Sequence, residues 1–190
     1  MSAGFQHTCG IRSDDTLACW GFDDNGQSTP PSGTFKSVSA GTEHTCAIRT
    51  DDTVVCWGLN DDGEASPPAG SFVAVTAGTY HTCGIRSNGA LACWGRDYFG
   101  QASPSAGTFD SVAAGSGQTC TIASNGTVAC WGDDFYDQAS PPSGAFQSLS
   151  AGGLHTCGIR SNDALACWGI DDDGQASPPS WSRCTPCGGA

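Results

Sequence analysis

Residues 7–21 read "HTCGIRSDDTLACWG": two strand-forming runs, each holding one cysteine, joined by a polar turn and closed by Trp20 and Gly21. Asp and Ser suit a tight turn and Asp tolerates positive φ, so the stretch predicts a β-hairpin. With the turn centred on Asp14, Cys9 stands opposite Cys19 and Ile11 opposite Leu17 on one side of the ribbon, and Thr8, Gly10, Ala18 and Trp20 take the other. Both sides are apolar or small, as in a sheet covered on both faces. The stretch then returns four times. Cys9, Cys46, Cys83, Cys120 and Cys157 are 37 residues apart, and so are Cys19, Cys56, Cys93, Cys130 and Cys167, each followed by tryptophan and glycine. A period without insertions places every copy in an equivalent slot. The run "TFKSVSAG" at 34–41 and its counterparts supply a third strand, linked through proline-rich segments such as "STPPSG" at 28–33. No stretch carries a sustained helical period.

Composition sets a problem that the repeat must solve. Leu, Ile, Val and Phe together make up 27 of 190 residues, about 14%, and the net charge is −12, a combination that ordinarily leaves a chain unfolded. Twelve cysteines are the compensating feature. Residues directly opposite in an antiparallel pair lie within disulfide reach, so each hairpin can close its own bond. Closing so short a loop is worth roughly 2 to 3 kcal/mol in the chain-entropy picture, and several such bonds rival the roughly 5 to 15 kcal/mol stability of a domain. The expected pairs are Cys9 with Cys19, Cys46 with Cys56, Cys83 with Cys93, Cys120 with Cys130 and Cys157 with Cys167. The pair Cys184 and Cys187, in "CTPC", reads as a terminal staple. A zinc site built from His7, Cys9 and Cys19 is the rival, but Gln118 replaces the histidine in the fourth copy while both cysteines stay. The histidines are expected to satisfy backbone groups near the start of their strands.

The segment "SVSAGTEHTCAIRTDDTVVCWGLNDDGE" at 37–64 resembles the repeat of the regulator of chromosome condensation family, with its V-x-A-G-x-x-H-[TS] run, a turn, then W-G and G-Q. The cysteine-bearing form is similar to that of bacterial extracellular members and of the ectodomain of plant crinkly-type receptor kinases. The resemblance covers residues 2–180 and implies a β-propeller. Seven repeats are the usual complement of that family and this chain has five, at 2–38, 39–75, 76–112, 113–149 and 150–186. The expected fold is therefore all-β: one propeller domain over 2–186, a closed five-bladed ring with a disulfide in each hairpin. An open arc would leave blade faces without a partner. Residues 181–190 form an atypical closing segment in which Trp181 stands in for the missing strand. An open arc and a fragment of a longer array are the alternatives.

Cysteine usage points to an oxidising compartment, hence a secreted or surface-displayed protein. Acidic charge argues against nucleic acid and against anionic membrane as partners, and no apolar run suits membrane insertion. No nucleophile, base and acid set stands apart from the repeat, so no enzyme activity and no cofactor are expected. Positions that vary between copies fall in the pair before the histidine and in the four residues after "CWG". In an antiparallel hairpin these lie at the same end, which makes one variable face. It gathers Phe5, Phe22, Tyr80, Asp97, Tyr98, Phe99, Asp133, Asp134, Phe135 and Tyr136, an acidic and aromatic set suited to a protein partner. A carbohydrate-binding, lectin-like propeller and a structural module of an adhesive or fibrous array are the other readings. The loops "DDNG", "NDDG" and "DDDG" offer partial calcium ligands in Asp23, Asn25, Asn60, Asp62, Asp171 and Asp173, without the distal glutamate of a complete loop site.

Overall fold

The computed structural model describes residues 1–179. Within them, five antiparallel three-stranded sheets follow one another along the chain. The first holds β1 (Ser2–Ala3), β2 (His7–Ile11) and β3 (Leu17–Gly21); the second β4 (Phe35–Ala40), β5 (His44–Arg49) and β6 (Val54–Gly58). The third holds β7 (Phe72–Ala77), β8 (His81–Arg86) and β9 (Leu91–Gly95); the fourth β10 (Phe109–Ala114), β11 (Gln118–Ala123) and β12 (Val128–Gly132). The fifth is β13 (Phe146–Ala151), β14 (His155–Arg160) and β15 (Leu165–Gly169). Each sheet is one blade of a propeller, and in the second to fifth blades the inner strand starts in the end of the preceding sequence repeat. The short Gly41-Thr42-Glu43 link, closed by Gly41 N–H donating to His44 O at 2.9 Å, makes β4 and β5 a hairpin, while the longer proline segment crosses between blades.

The hairpin register is the expected one. Cys9 faces Cys19, Ile11 faces Leu17 and Thr8 faces Trp20, with the same pairings in the other four copies. Five disulfides, Cys9–Cys19, Cys46–Cys56, Cys83–Cys93, Cys120–Cys130 and Cys157–Cys167, cross these pairs. Their sulfurs are bonded to one another, which removes the thiolates that zinc would require. The turn brings Asp15 to φ 62°, Asp52 to 70° and Asp163 to 65°, where the third and fourth copies place Gly89 and Gly126. Cys184 and Cys187 lie outside the described residues.

The inner strand solves a spacing problem. Phe35 and Val38 are three apart, which on a regular strand would send them to opposite faces. The ladder slips between Phe35 and Ser37, and between the matching residues of β7, β10 and β13, and this bulge returns both side chains to the same side.

The core lies between blades. Ile11 and Leu17 of the first blade meet Phe35, Val38, Ala47 and Trp57 of the second. Cys46, Ile48, Val54 and Cys56 of the second meet Phe72, Val75, Ala92 and Trp94 of the third, and the fourth and fifth blades repeat the arrangement. Each blade thus offers a disulfide-centred face to its successor and a tryptophan face to its predecessor. The sulfur atoms substitute for the missing aliphatic side chains, with Cys9, Cys46, Cys83 and Cys120 fully buried.

A polar clasp accompanies every interface, and it corrects the expected role of the histidines. Three of the four bond across blades and not to local backbone: His7 Nε2 to Thr45 Oγ1 at 2.7 Å, His44 to Thr82 and His81 to Thr119 at 2.8 Å. Each threonine hydroxyl donates in turn to a carbonyl of the preceding blade's loop, that of Gln27, Glu64 or Gln101. The same carbonyls accept the indole N–H of Trp57, Trp94 and Trp131, and Gln138 O accepts that of Trp168. Gly41 sits at a close approach of neighbouring blades, since a Cβ there would come 2.4 Å from Gly78 O of the next blade.

These interfaces join blades one to two, two to three, three to four and four to five. The fifth interface that a closed ring needs is not formed among the described residues, and the closing role expected of Trp181 lies outside them. Trp20 is accordingly 53% exposed, whereas Trp94 and Trp168 are 9% and 7% exposed.

Candidate binding face

Both variable segments meet at one end of each hairpin. The first residue after "CWG" donates its N–H to the residue before the histidine: Phe22 to Gln6 O, Leu59 to Glu43 O, Arg96 to Tyr80 O, Asp133 to Gly117 O and Ile170 to Leu154 O, at 2.8 to 2.9 Å. The glycine between them is required by this approach. A Cβ on Gly95 would lie 2.6 Å from Tyr80 O, and its φ is +100°.

Each loop after the tryptophan is folded by its own side chains. Asp23 accepts from Ser28 N and Thr29 Oγ1, both at 2.7 Å; Asn60 accepts from Ala65 N at 2.8 Å; and Asp97 accepts from Ala102 N at 2.7 Å and Ser103 Oγ at 2.6 Å. Asp134 accepts from Ala139 N and Ser140 Oγ, and Asp171 from Ala176 N and Ser177 Oγ. These bonds hold the Asp23 and Asp171 carboxyls below the ordinary carboxylate range, the hydroxyl bonds from Thr29 and Ser177 contributing most. Of the residues named as partial calcium ligands, Asp23, Asn60 and Asp171 therefore close their own loops. Asn25 donates to Glu43 Oε2 at 2.9 Å, Asp62 is paired with Arg96, and the Asp173 N–H donates to Gln175 Oε1. Among the described residues no three His, Cys, Asp or Glu side chains converge as a metal site.

The aromatic residues fall into three groups. Tyr80 and Tyr98 flank Arg96, whose guanidinium carbon lies 3.8 Å from the first ring centroid and 5.3 Å from the second. Arg96 is tethered by Asp62, with Nε and Nη2 at 2.9 and 2.8 Å from one carboxylate oxygen. Phe135 and Tyr136 form an edge-to-face pair at 4.8 Å, and Asp133 accepts from the N–H of Phe135 at 3.1 Å. Phe99 lies over Gly117, which Asp133 also flanks, so the loops of the third and fourth blades approach each other there. Tyr98, Phe99, Phe135 and Tyr136 are all exposed, at 78%, 60%, 81% and 41%. Phe5 and Phe22, also exposed, belong to the first blade and stand apart from this cluster.

Two features were not among the residues named from the sequence. Arg96 was hidden inside the variable quartet "RDYF", where only its neighbours drew attention. The centre of the face is a hollow of about 590 Å³ lined by the "AG" glycines and by Phe5, Thr42, Thr79, Ser116 and Gly153. Thr42 Oγ1 donates to Thr79 Oγ1 at 3.1 Å, and Thr79 bonds Ser116 Oγ at 3.0 Å, so a track of hydroxyls runs around its wall. The signal was available in "AGT" and "AGS", but only the blade geometry converges them.

The family described as Regulator of chromosome condensation (RCC1) repeat matches residues 1–27, 35–64, 72–101 and 146–175. The ectodomain of the Physcomitrella patens receptor kinase CR4 is 30% identical, with a TM-score of 0.78 over 88% of this chain and 50% of that one. The CRINKLY WD40 ectodomain of the Arabidopsis thaliana receptor kinase ACR4 is 31% identical, with a TM-score of 0.73 over 88% and 62% of the two chains. Prp20p from Saccharomyces cerevisiae, at 15% identity and a TM-score of 0.75 over 87% and 56%, shares the fold. The chain thus spans half to under two thirds of these proteins. Among curated proteins no relative matches it by sequence.

Proposed function

The chain belongs to the regulator of chromosome condensation repeat family, and on that premise we propose that it is a non-catalytic, extracellular binding module that engages a protein partner through the variable loop face of its third and fourth blades. The observation that carries this reading is the exposed set Tyr98, Phe99, Phe135 and Tyr136, held on loops that are each closed by their own aspartate. Large apolar side chains fixed in water on a rigid scaffold are what a partner's pockets select, and the surrounding carboxylates favour a basic rim on that partner. Arg96 occupies the rings of Tyr80 and Tyr98, which supports a protein surface over sugar rings as the ligand. Five disulfides, and the two receptor ectodomains among its relatives, support placement outside the reducing cytosol.

The test is capture of proteins from source extract on the immobilised chain, with and without calcium, beside a variant carrying Tyr98→Ala, Phe99→Ala, Phe135→Ala and Tyr136→Ala. Each side chain is exposed, so the variant should melt within a few degrees of the parent while capture falls at least about tenfold, the cost of losing one or two anchors. Undiminished capture would place the partner elsewhere; binding on a glycan array that the variant loses would favour the lectin-like reading.

A further inference from the structure

On the variable face, the junction of the second and third blades holds a cation of its own, and the junction one repeat later has the same backbone with no cation in it. Asp62 and Phe99 are equivalent: each donates its N–H at 2.9 Å to the buried side chain two residues on, Glu64 Oε2 or Gln101 Oε1. Arg96 and Asp133 are equivalent as well, donating their N–H groups at 2.8 Å to Tyr80 O and Gly117 O. Only the side chains differ: Asp62, Tyr80, Arg96 and Tyr98 give way to Phe99, Gly117, Asp133 and Phe135.

At the earlier junction the guanidinium of Arg96 stacks on Tyr80 and Tyr98, and its Nε and Nη2 share one acceptor, Asp62 Oδ2. At the later junction acceptor and ring have exchanged blades. A ring, Phe99, stands in the place of the carboxylate, and a carboxylate, Asp133, in the place of the guanidinium. Gly117 leaves room for both, since a Cβ there would lie 3.6 Å from Asp133 Oδ2 and 3.6 Å from Phe99 Cδ2. Asp133 Oδ1 accepts from the Phe135 N–H at 3.1 Å, and among the described residues Oδ2 bonds nothing. Asp97 and Asp134, in the same two loops, spend both oxygens on loop closure. Among the described residues no cation lies over Phe99 or Phe135, and both rings are exposed.

We infer that this corner seats one arginine side chain of the partner, its guanidinium on the Phe99 ring and its N–H groups on Asp133 Oδ2. This deepens the reading of the variable face as a protein-binding surface and rests on it. One free oxygen is enough, because one oxygen of Asp62 serves two N–H groups of Arg96. A guanidinium suits the corner better than an ammonium: it is planar and weakly hydrated, so it stacks on a ring while donating within its own plane. The chain's net charge of −12 favours the approach of a cationic segment. The other two junctions lack the combination. Between the first and second blades, Asn25 donates to Glu43 and no ring occupies the equivalent positions; between the fourth and fifth, these are the uncharged Tyr136, Leu154 and Ile170.

Amide NMR of the labelled full chain tests this, with an acetylated and amidated Gly-Gly-Arg-Gly-Gly peptide as the probe and citrulline and lysine versions beside it. The arginine peptide should shift the amides of Gly117, Asp133 and Phe135 saturably. Citrulline keeps the shape without the charge and should leave them in place, and the lysine peptide should bind at least about threefold more weakly. Asp133→Asn still accepts from the Phe135 N–H and should weaken the arginine peptide by about tenfold or more. Phe99→Ala should weaken it by about threefold. The triple variant Phe99→Asp, Gly117→Tyr and Asp133→Arg installs the earlier junction's set, fills the seat from within and should abolish the response. The inference is overturned by a parent chain that shows no shift, by shifts that citrulline reproduces, by a lysine peptide that binds as tightly, or by a response that Asp133→Asn leaves intact. Capture from extract separates it from the broader reading. If the fourfold alanine variant loses its partner and Asp133→Asn retains it undiminished, the binding face stands and the arginine seat falls; loss in both supports the seat.

Discussion

The hydroxyl of Thr82 donates to Glu64 O, so it accepts from His44, and His44 must carry its proton on Nε2. Nδ1 is then an unprotonated acceptor, buried without a partner, as in His7 and His81. Protonating it would place a charge in the interface, and burial pushes His44 and His81 down to about 4. An unfolded histidine titrates near 6.5, so between that pH and about 4 the unfolded chain binds protons that the folded one refuses. Stability is complete above about pH 6.5 and declines as pH falls toward 4, by up to about 3 kcal/mol for each of the two. Urea unfolding across this window checks it, and His44→Gln, copying Gln118 of the fourth blade, should flatten the profile. Glu64 poses a different problem. It is fully buried with Oε1 unpartnered, where four copies have glutamine. Gln27 and Gln138 leave Nε2 unpartnered at the same position, so Glu64→Gln exchanges one unpaired atom for another and should change stability by less than about 1 kcal/mol, read from the same unfolding curves.

A hairpin here is a self-contained element because its two strands, turn and covalent closure lie within one short span. Its register was legible in the cysteine spacing alone: a bond between opposite residues demands the Cys9 and Cys19 pairing, and Ile11 and Leu17 follow. Which inner strand completes the blade was not legible, because a strict repeat looks the same wherever it is cut. The three-residue link at Gly41 decides it, by being too short to reach any strand but a neighbour. The disulfide is both staple and core, packed under the next blade's tryptophan in the second and fourth blades. Replacing Cys83 and Cys93 together by serine should therefore cost at least the roughly 2 to 3 kcal/mol of loop closure. The polar hydroxyls left in a buried contact add to that loss, and thermal unfolding should show a single lowered transition with the other four bonds intact.

Across the whole molecule, stability is a sum over interfaces, so equivalent residues have unequal weight. Trp94→Ala removes a buried ring that meets Phe72 edge-to-face at 6.1 Å and should cost about 3 to 5 kcal/mol, as large core truncations do. Trp20→Ala, the same substitution at an open end, should cost well under 1 kcal/mol in a monomeric chain, as surface changes do. Equal losses measured by denaturation at low protein concentration would mean that Trp20 is covered by its own chain. The same long-range order positions the binding face: Tyr80 and Arg96 come from two loops of the third blade and Asp62 from a loop of the second, and only the stacking of those blades brings Asp62 to Arg96.

Periodicity, cysteine spacing and turn chemistry were enough to settle the all-β class, the hairpins, their disulfides and the side on which variation collects, because each depends on contacts within one repeat. The clasp of histidine, threonine and loop carbonyl and the grouping of aromatics around Arg96 depend on the distance and rotation between neighbouring blades. That relation is set by how Trp57, Trp94 and Trp168 seat on the preceding sheet, a packing geometry that five nearly identical lines of sequence do not encode separately.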